Sequence, residues 1–107
     1  MKNPLGNMGN ILKQAQAMQA QMAKVQEQAS AKTVTGTAGG GSVTVTANGA
    51  MQLLGIVIDP EVVKSGDVEM VQDLVMAASN DALRKAREMM ADEMKSVTGG
   101  MNLPGLL

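Results

Sequence analysis

The 107-residue chain has no cysteine, histidine, tryptophan, tyrosine or phenylalanine. Without cysteine or histidine there is no zinc site of the usual kind, no disulfide framework and no thiol nucleophile. The lack of cysteine fits a reducing compartment. Without histidine the commonest general base near neutral pH is missing. Without aromatic rings there is no platform on which single-stranded bases can stack. No run of eighteen apolar residues occurs, and Met1 to Asn10 carries one charge, Lys2, with no long apolar stretch after it. These absences predict a cytoplasmic protein that is not an enzyme. They also predict no metal, no cofactor, no small-molecule substrate and no membrane partner.

Eleven methionines are present, and they take the filling role that aromatics usually have. Hydrophobic residues make up 45% and charged residues 18%, a globular balance, and the length suits one domain over residues 1–107. The net charge of −1 is unevenly spread. Residues 1–58 carry +3, residues 59–73 carry −4 through Asp59, Glu61, Asp67, Glu69 and Asp73 against Lys64, and residues 74–107 balance. Bulk charge alone therefore gives no argument for nucleic acid.

Residues 5–31 carry apolar or alanine positions at Met8, Ile11, Ala15, Met18, Met22, Val25 and Ala29. This alternation of three and four is a heptad seam on a helix. Residues 33–38, 42–48 and 51–58 have the character of strands. Gly36 with Gly39 to Gly41 is a turn cluster between the first two; no Gly-Lys-Ser/Thr follows, so it is not a phosphate loop. Asn48-Gly49 predicts a two-residue hairpin that sets Ala47 opposite Ala50, Val45 opposite Gln52 and Val43 opposite Leu54. Asp59-Pro60 starts a short helical turn, and Ser65-Gly66 ends it. Asp67 caps a long helix to about Val97, with ion pairs expected at Asp81/Lys85 and Arg84/Glu88. An apolar tail, residues 98–107, follows and either docks or stays loose. The order is helix, three-stranded antiparallel sheet, short helical turn and long C-terminal helix, an α+β fold.

In that register one sheet face carries Val43, Val45, Ala47, Leu54, Ile56 and Ile58, and the other carries Thr44, Thr46, Met51, Leu53 and Val57. The third strand is apolar on both sides, but one helical layer covers only one face. Met51, Leu53 and Val57 are therefore expected at a homodimer interface. The chain's own tail is the alternative cover.

Several segments resemble the YbaB/EbfC family of nucleoid-associated proteins. Residues 9–19, reading GNILKQAQAMQ, are similar to its opening helix. Val34-Thr35-Gly36 resembles its first strand, VTVTANGA over residues 43–50 its central hairpin, and Ile58-Asp59-Pro60 its strand-to-helix junction. Residues 69–82 resemble its long helix, and Gly100-Met101 with Leu103-Pro104 its tail. The resemblance spans nearly the whole chain in order. It implies a two-layer homodimer with helices projecting like tweezers, binding to duplex DNA and association with the nucleoid.

Phosphate contacts need accessible lysine or arginine. Lys13 and Lys24 are eleven residues apart, within about 20° on one helix face. Arg84 and Lys95 repeat that spacing, with Arg87 nearby. These five are the expected DNA contacts, held through phosphates with little base readout, with effects on gene expression or chromosome organisation. Exposed helix charges also commonly just pair with their neighbours. The low net charge and the methionine- and glutamine-rich helices support a competing expectation. In it, the dimer is an interaction module for recombination or repair proteins, with weak DNA binding or none.

Overall fold

Alanine, glutamine, methionine and lysine dominate the first segment. All are strong helix formers with little rotamer entropy to lose. They form helix α1 over Pro4–Ala31. The computed structural model describes the backbone of residues 4–100 and the side chains of residues 8–97. The expected tail therefore lies mostly outside the described residues. Strand β1 (Thr33–Ala38) follows after one residue, then a 3₁₀ turn (Gly39–Gly41), β2 (Val43–Asn48) and β3 (Leu53–Ile58). Helix α2 is Pro60–Lys64, and α3 is Val68–Gly100.

Local chemistry explains the boundaries. The three turn glycines have φ of 62°, 66° and 96°, where a side chain would be strained. Asp59 caps α2 by accepting from the Glu61 N–H at 3.0 Å, with Pro60 in the first helical position. Asp67 accepts from the Met70 N–H at 3.0 Å and so caps α3.

The sheet is antiparallel in the order β1-β2-β3. Val34, Gly36 and Ala38 pair with Ala47, Val45 and Val43, so these six share a face. α3 lies on that face, over β1 and β2. Ala78, Ala82 and Ala86 recur every fourth residue of α3 and are fully buried against Val43, Val45 and Ala47. Small residues on the helix let backbone approach backbone. At Gly36 an added Cβ would lie 2.2 Å from the Ala82 nitrogen and 2.5 Å from the Ala78 carbonyl oxygen. Gly36 is thus a packing glycine inside β1, not a member of the turn cluster.

The expected hairpin register is corrected. Val43 pairs with Ile58, Val45 with Ile56 and Ala47 with Leu53, with a bulge between Thr46 and Ala47 that leaves Leu54 unpaired. The Met51 N–H donates to the Asn48 carbonyl, and Met51, at φ 64°, takes the left-handed position. The Asn48 side chain closes the loop by accepting from the Gln52 N–H at 3.0 Å. Gly49 serves packing instead: a Cβ there would lie 2.2 Å from the Ala29 carbonyl oxygen and 2.8 Å from the Met90 sulfur. The tight seat against α1 and α3 requires glycine and leaves the loop to lengthen.

Two consequences follow for the sheet faces. Leu53 shares the face of Ala47, not that of Val57, because the bulge shifts the alternation. Ile56 stands on the helix side yet is 46% exposed, since α3 covers β1 and β2 and not β3. Leu54 and Ile56, expected in the intramolecular core, are outside it.

α1 packs on α3 beyond the end of the sheet. Lys32, at the junction, pairs with Glu93. The molecule measures 81 × 24 × 17 Å, with a radius of gyration of 21.5 Å. A compact chain of this length would have a radius of about 13 Å.

Candidate nucleic-acid interface

The long helices place the five expected contact residues differently. Lys13 and Lys24 are both exposed on α1. Eleven residues separate them, about 16 Å along the axis. Arg87 and Lys95 are exposed on α3. Arg84 is exposed too, but its guanidinium is divided between two carboxylates. Its Nη2 lies 2.7 Å from Asp81 Oδ1, and its Nη1 lies 2.9 Å from Glu88 Oε1. Lys85 reaches Asp81 at 3.3 Å. The two expected helical pairs therefore form, and Arg84 is held in addition by Asp81.

Asp81 does more than neutralise its neighbours. Its Oδ2 accepts the Thr37 N–H at 3.0 Å, which ties β1 to α3. That bond, with those from Arg84 and Lys85, holds its carboxyl at about 2, against a usual 3.8. Each of these partners favours the charged form. A depressed native pKa contributes stability above pH 4, and that stability is lost as the pH falls toward 2. Asp81→Asn should therefore lower the denaturation midpoint at pH 7. The gap from the parent should close as the pH approaches 2. Urea titrations from pH 7 down to pH 2 check this, and a constant gap would contradict the assignment.

The opposite end of the rod is acidic. Asp59, Glu61, Asp67, Glu69 and Asp73 lie on α2, at the start of α3 and at their caps. Charge is thus segregated along the long axis, with the exposed cations of α1 and of outer α3 away from this pole.

The sequence pattern of the YbaB/EbfC DNA-binding family matches residues 4–101. The chain belongs to that family. A nucleoid-associated protein of Caldanaerobacter subterraneus is 55% identical over 100 residues, covering 94% of this chain and 90% of the relative. One from Bacillus thuringiensis is 54% identical over 105 residues, covering 98% and 96%. The crystal structure of an uncharacterized protein from Helicobacter pylori superposes with a TM-score of 0.59 at 25% identity, covering 81% of this chain and 96% of that one. The α+β order read from the sequence is therefore the fold of this YbaB/EbfC chain.

Sequence reasoning missed two features of the YbaB/EbfC surface. One is the uncovered helix-side flank of β3, with Leu53 and Ile56. The only sequence signal for it was the unbroken apolar run of that strand. The other is the capture of Arg84 by both Asp81 and Glu88. Helical spacing signals the Arg84/Glu88 pair but not the second carboxylate, Asp81, on the same guanidinium.

Proposed function

We propose that two copies join through β3 and that the resulting homodimer binds duplex DNA at the nucleoid through phosphate contacts from its projecting helices. Membership of a DNA-binding family is the observation that carries the reading. The names of the relatives support association with the nucleoid.

Surface area supports the dimer. The chain exposes 7673 Å², whereas a folded monomer of 11.1 kDa exposes about 5,700 Å². The excess of about 2,000 Å² is ample for a stable interface. On the sheet, the exposed apolar residues gather on β3. Leu53, Leu54, Ile56 and Val57 are all exposed on an edge strand with no charge and no proline to block pairing. Met51 and Leu53, at the hairpin end, and Val57, on the face away from α3, extend the same patch.

Charge supports the DNA-binding surface. Lys13, Lys24 and Arg87 have no carboxylate partner among the described residues, and a dimer doubles them. Lys95 adds to the same end of α3. Arg84 contributes less, because it must leave two carboxylates first. Phosphate contacts carry no sequence information, so binding through them depends weakly on sequence and strongly on salt.

The experiment is a gel-shift titration at several salt concentrations. Lys24→Ala removes two cations per dimer and should make the log–log salt slope shallower by about 2. Combined Lys13→Ala, Lys24→Ala and Arg87→Ala should lower affinity at least ~100-fold near 0.1 M salt. Arg84→Ala should cost less than Arg87→Ala. Salt-independent binding would overturn the phosphate reading. The interaction-module reading rests on the net charge of −1. Protein partners retained after nuclease treatment of a lysate, with no gel shift, would favour it.

A further inference from the structure

Two apolar surfaces stand open, one toward each end of the rod. On outer α1, Met8, Ile11 and Leu12 are 60–65% exposed and with Ala15 line a shallow groove. At the acidic end, Val63 of α2 and Val68 of α3 are 58% and 65% exposed. With Gly66 and Val71 they line a second apolar hollow, in the notch where α2 turns into α3. Nothing lies within 4 Å of an added Cβ at Gly66, so the notch is open. Grouped exposed apolar side chains of this kind mark a contact surface.

The two surfaces cannot meet within one chain. Ala29 and Met90 flank the same glycine, Gly49, and so lie at one level. From there α1 runs outward to Met8, about 31 Å at a helical rise of ~1.5 Å per residue. α3 runs the other way, back along the sheet to Val68, about 33 Å. Surfaces some ~65 Å apart on a rigid rod come together only between copies.

Their charges are opposite. Residues 4–26 of α1 include Lys13 and Lys24 and no carboxylate, and Lys13 adjoins Leu12 in sequence. Around the notch stand Asp59, Glu61, Asp67, Glu69 and Asp73 against Lys64, which itself pairs with Glu61. Asp67 lines the notch directly. Contact between like surfaces would set charges of one sign together, whereas contact between unlike surfaces sets lysine against carboxylate.

We propose that the α1 surface of one copy, Met8, Ile11 and Leu12, docks in the Val63–Val68 notch of another copy, with Lys13 toward the acidic rim. The contact is heterologous. It joins unlike surfaces, so each added unit brings a new free surface of either kind and the assembly grows head to tail. On a duplex it links neighbouring dimers. The contact leaves β3 untouched, so its failure and the failure of the β3 dimer are separate results.

Light scattering on DNA-free protein tests it. At about 100 μM and ~0.05 M salt, the mean mass of the parent should exceed the dimer mass at least ~2-fold. It should fall back toward the dimer at ~0.5 M salt, where exposed charges are screened. Ile11→Asp and Val63→Asp should each stop growth when alone, because each spoils one of the two surfaces. Mixed in equal amounts they should associate again, since the first keeps its notch and the second keeps its α1 surface. A parent that stays at the dimer mass, growth unchanged by salt, or a mixture no larger than its parts would overturn the proposal. Growth of Val63→Asp alone would overturn it in favour of contact between two α1 surfaces. Cysteine pairing gives an independent readout in a chain with no native cysteine. Leu12→Cys chains mixed with Val68→Cys chains and mildly oxidised should form unlike pairs in excess over like pairs, resolved by a size tag on one of them. Like pairs in excess, or no pairs, would also overturn the docking.

Discussion

Val57→Asp should convert the protein from a species of twice 11.1 kDa to one of 11.1 kDa in solution mass measurements. Val57 is 70% exposed in the single chain, so a carboxylate there costs the isolated protomer little. In an interface it would be desolvated without a partner, which is strongly destabilising. Ile56→Asp tests the other face of the same strand and should have a similar effect, because α3 leaves that flank open. DNA affinity should fall with the dimer by at least ~100-fold, since one protomer then engages the duplex with half the cations. A Val57→Asp variant that keeps both the dimer mass and the affinity would place the interface elsewhere. If only Ile56→Asp splits the dimer, the partner sits beside α3 rather than on the threonine face.

Gly36→Ala should lower unfolding free energy by about 3 kcal/mol or more, measured by chemical denaturation at fixed protein concentration. The added carbon would meet the backbone nitrogen of Ala82 and the backbone oxygen of Ala78, which no rotamer change can move aside. α3 must lift from β1, and the core it leaves is thin. Val43 and Val45 are the largest fully buried side chains, so there is little other burial to compensate. The lift would also strain the Thr37–Asp81 bond across the same contact. Gly9→Ala is the control. Nothing lies within 4 Å of a Cβ at that site on α1, and alanine should add up to about 1 kcal/mol of helix stability. Equal small effects at the two sites would mean that α3 and β1 are farther apart than described.

The two substitutions probe parts of the protein that were unequally legible in the sequence. The exposure of Val57 could be read in advance because residues 53–58 are apolar without interruption, and a strand under a single helical layer cannot hide both faces. The role of Gly36 could not. In sequence it stands close to three turn glycines, and only the descent of β1 along Ala78 and Ala82 gives it a different task. In sequence, Asn48-Gly49 reads as a turn that uses glycine for its backbone freedom. The role of Gly49 is to admit the Ala29 carbonyl and the Met90 sulfur. The hairpin register changed as a result, and Leu53 and Leu54 changed their relation to the core. The candidate contact set was legible as far as helical spacing goes. Lys13 and Lys24 share an exposed face as expected, whereas Arg84 is held by two carboxylates one turn to either side.

The sequence alone determined which elements exist, their order and where most of them stop. Those features follow from periodicity, caps and turn chemistry, all of which act within a few residues. It also determined that thiol, imidazole and aromatic side chains take no part, because absent side chains stay absent in any fold. The tertiary structure decided which strands α3 covers, which glycines admit a neighbouring backbone, how far the hairpin loop extends and which cations remain unpaired. These are contacts between residues tens of positions apart, and local pattern does not specify the distance between two surfaces.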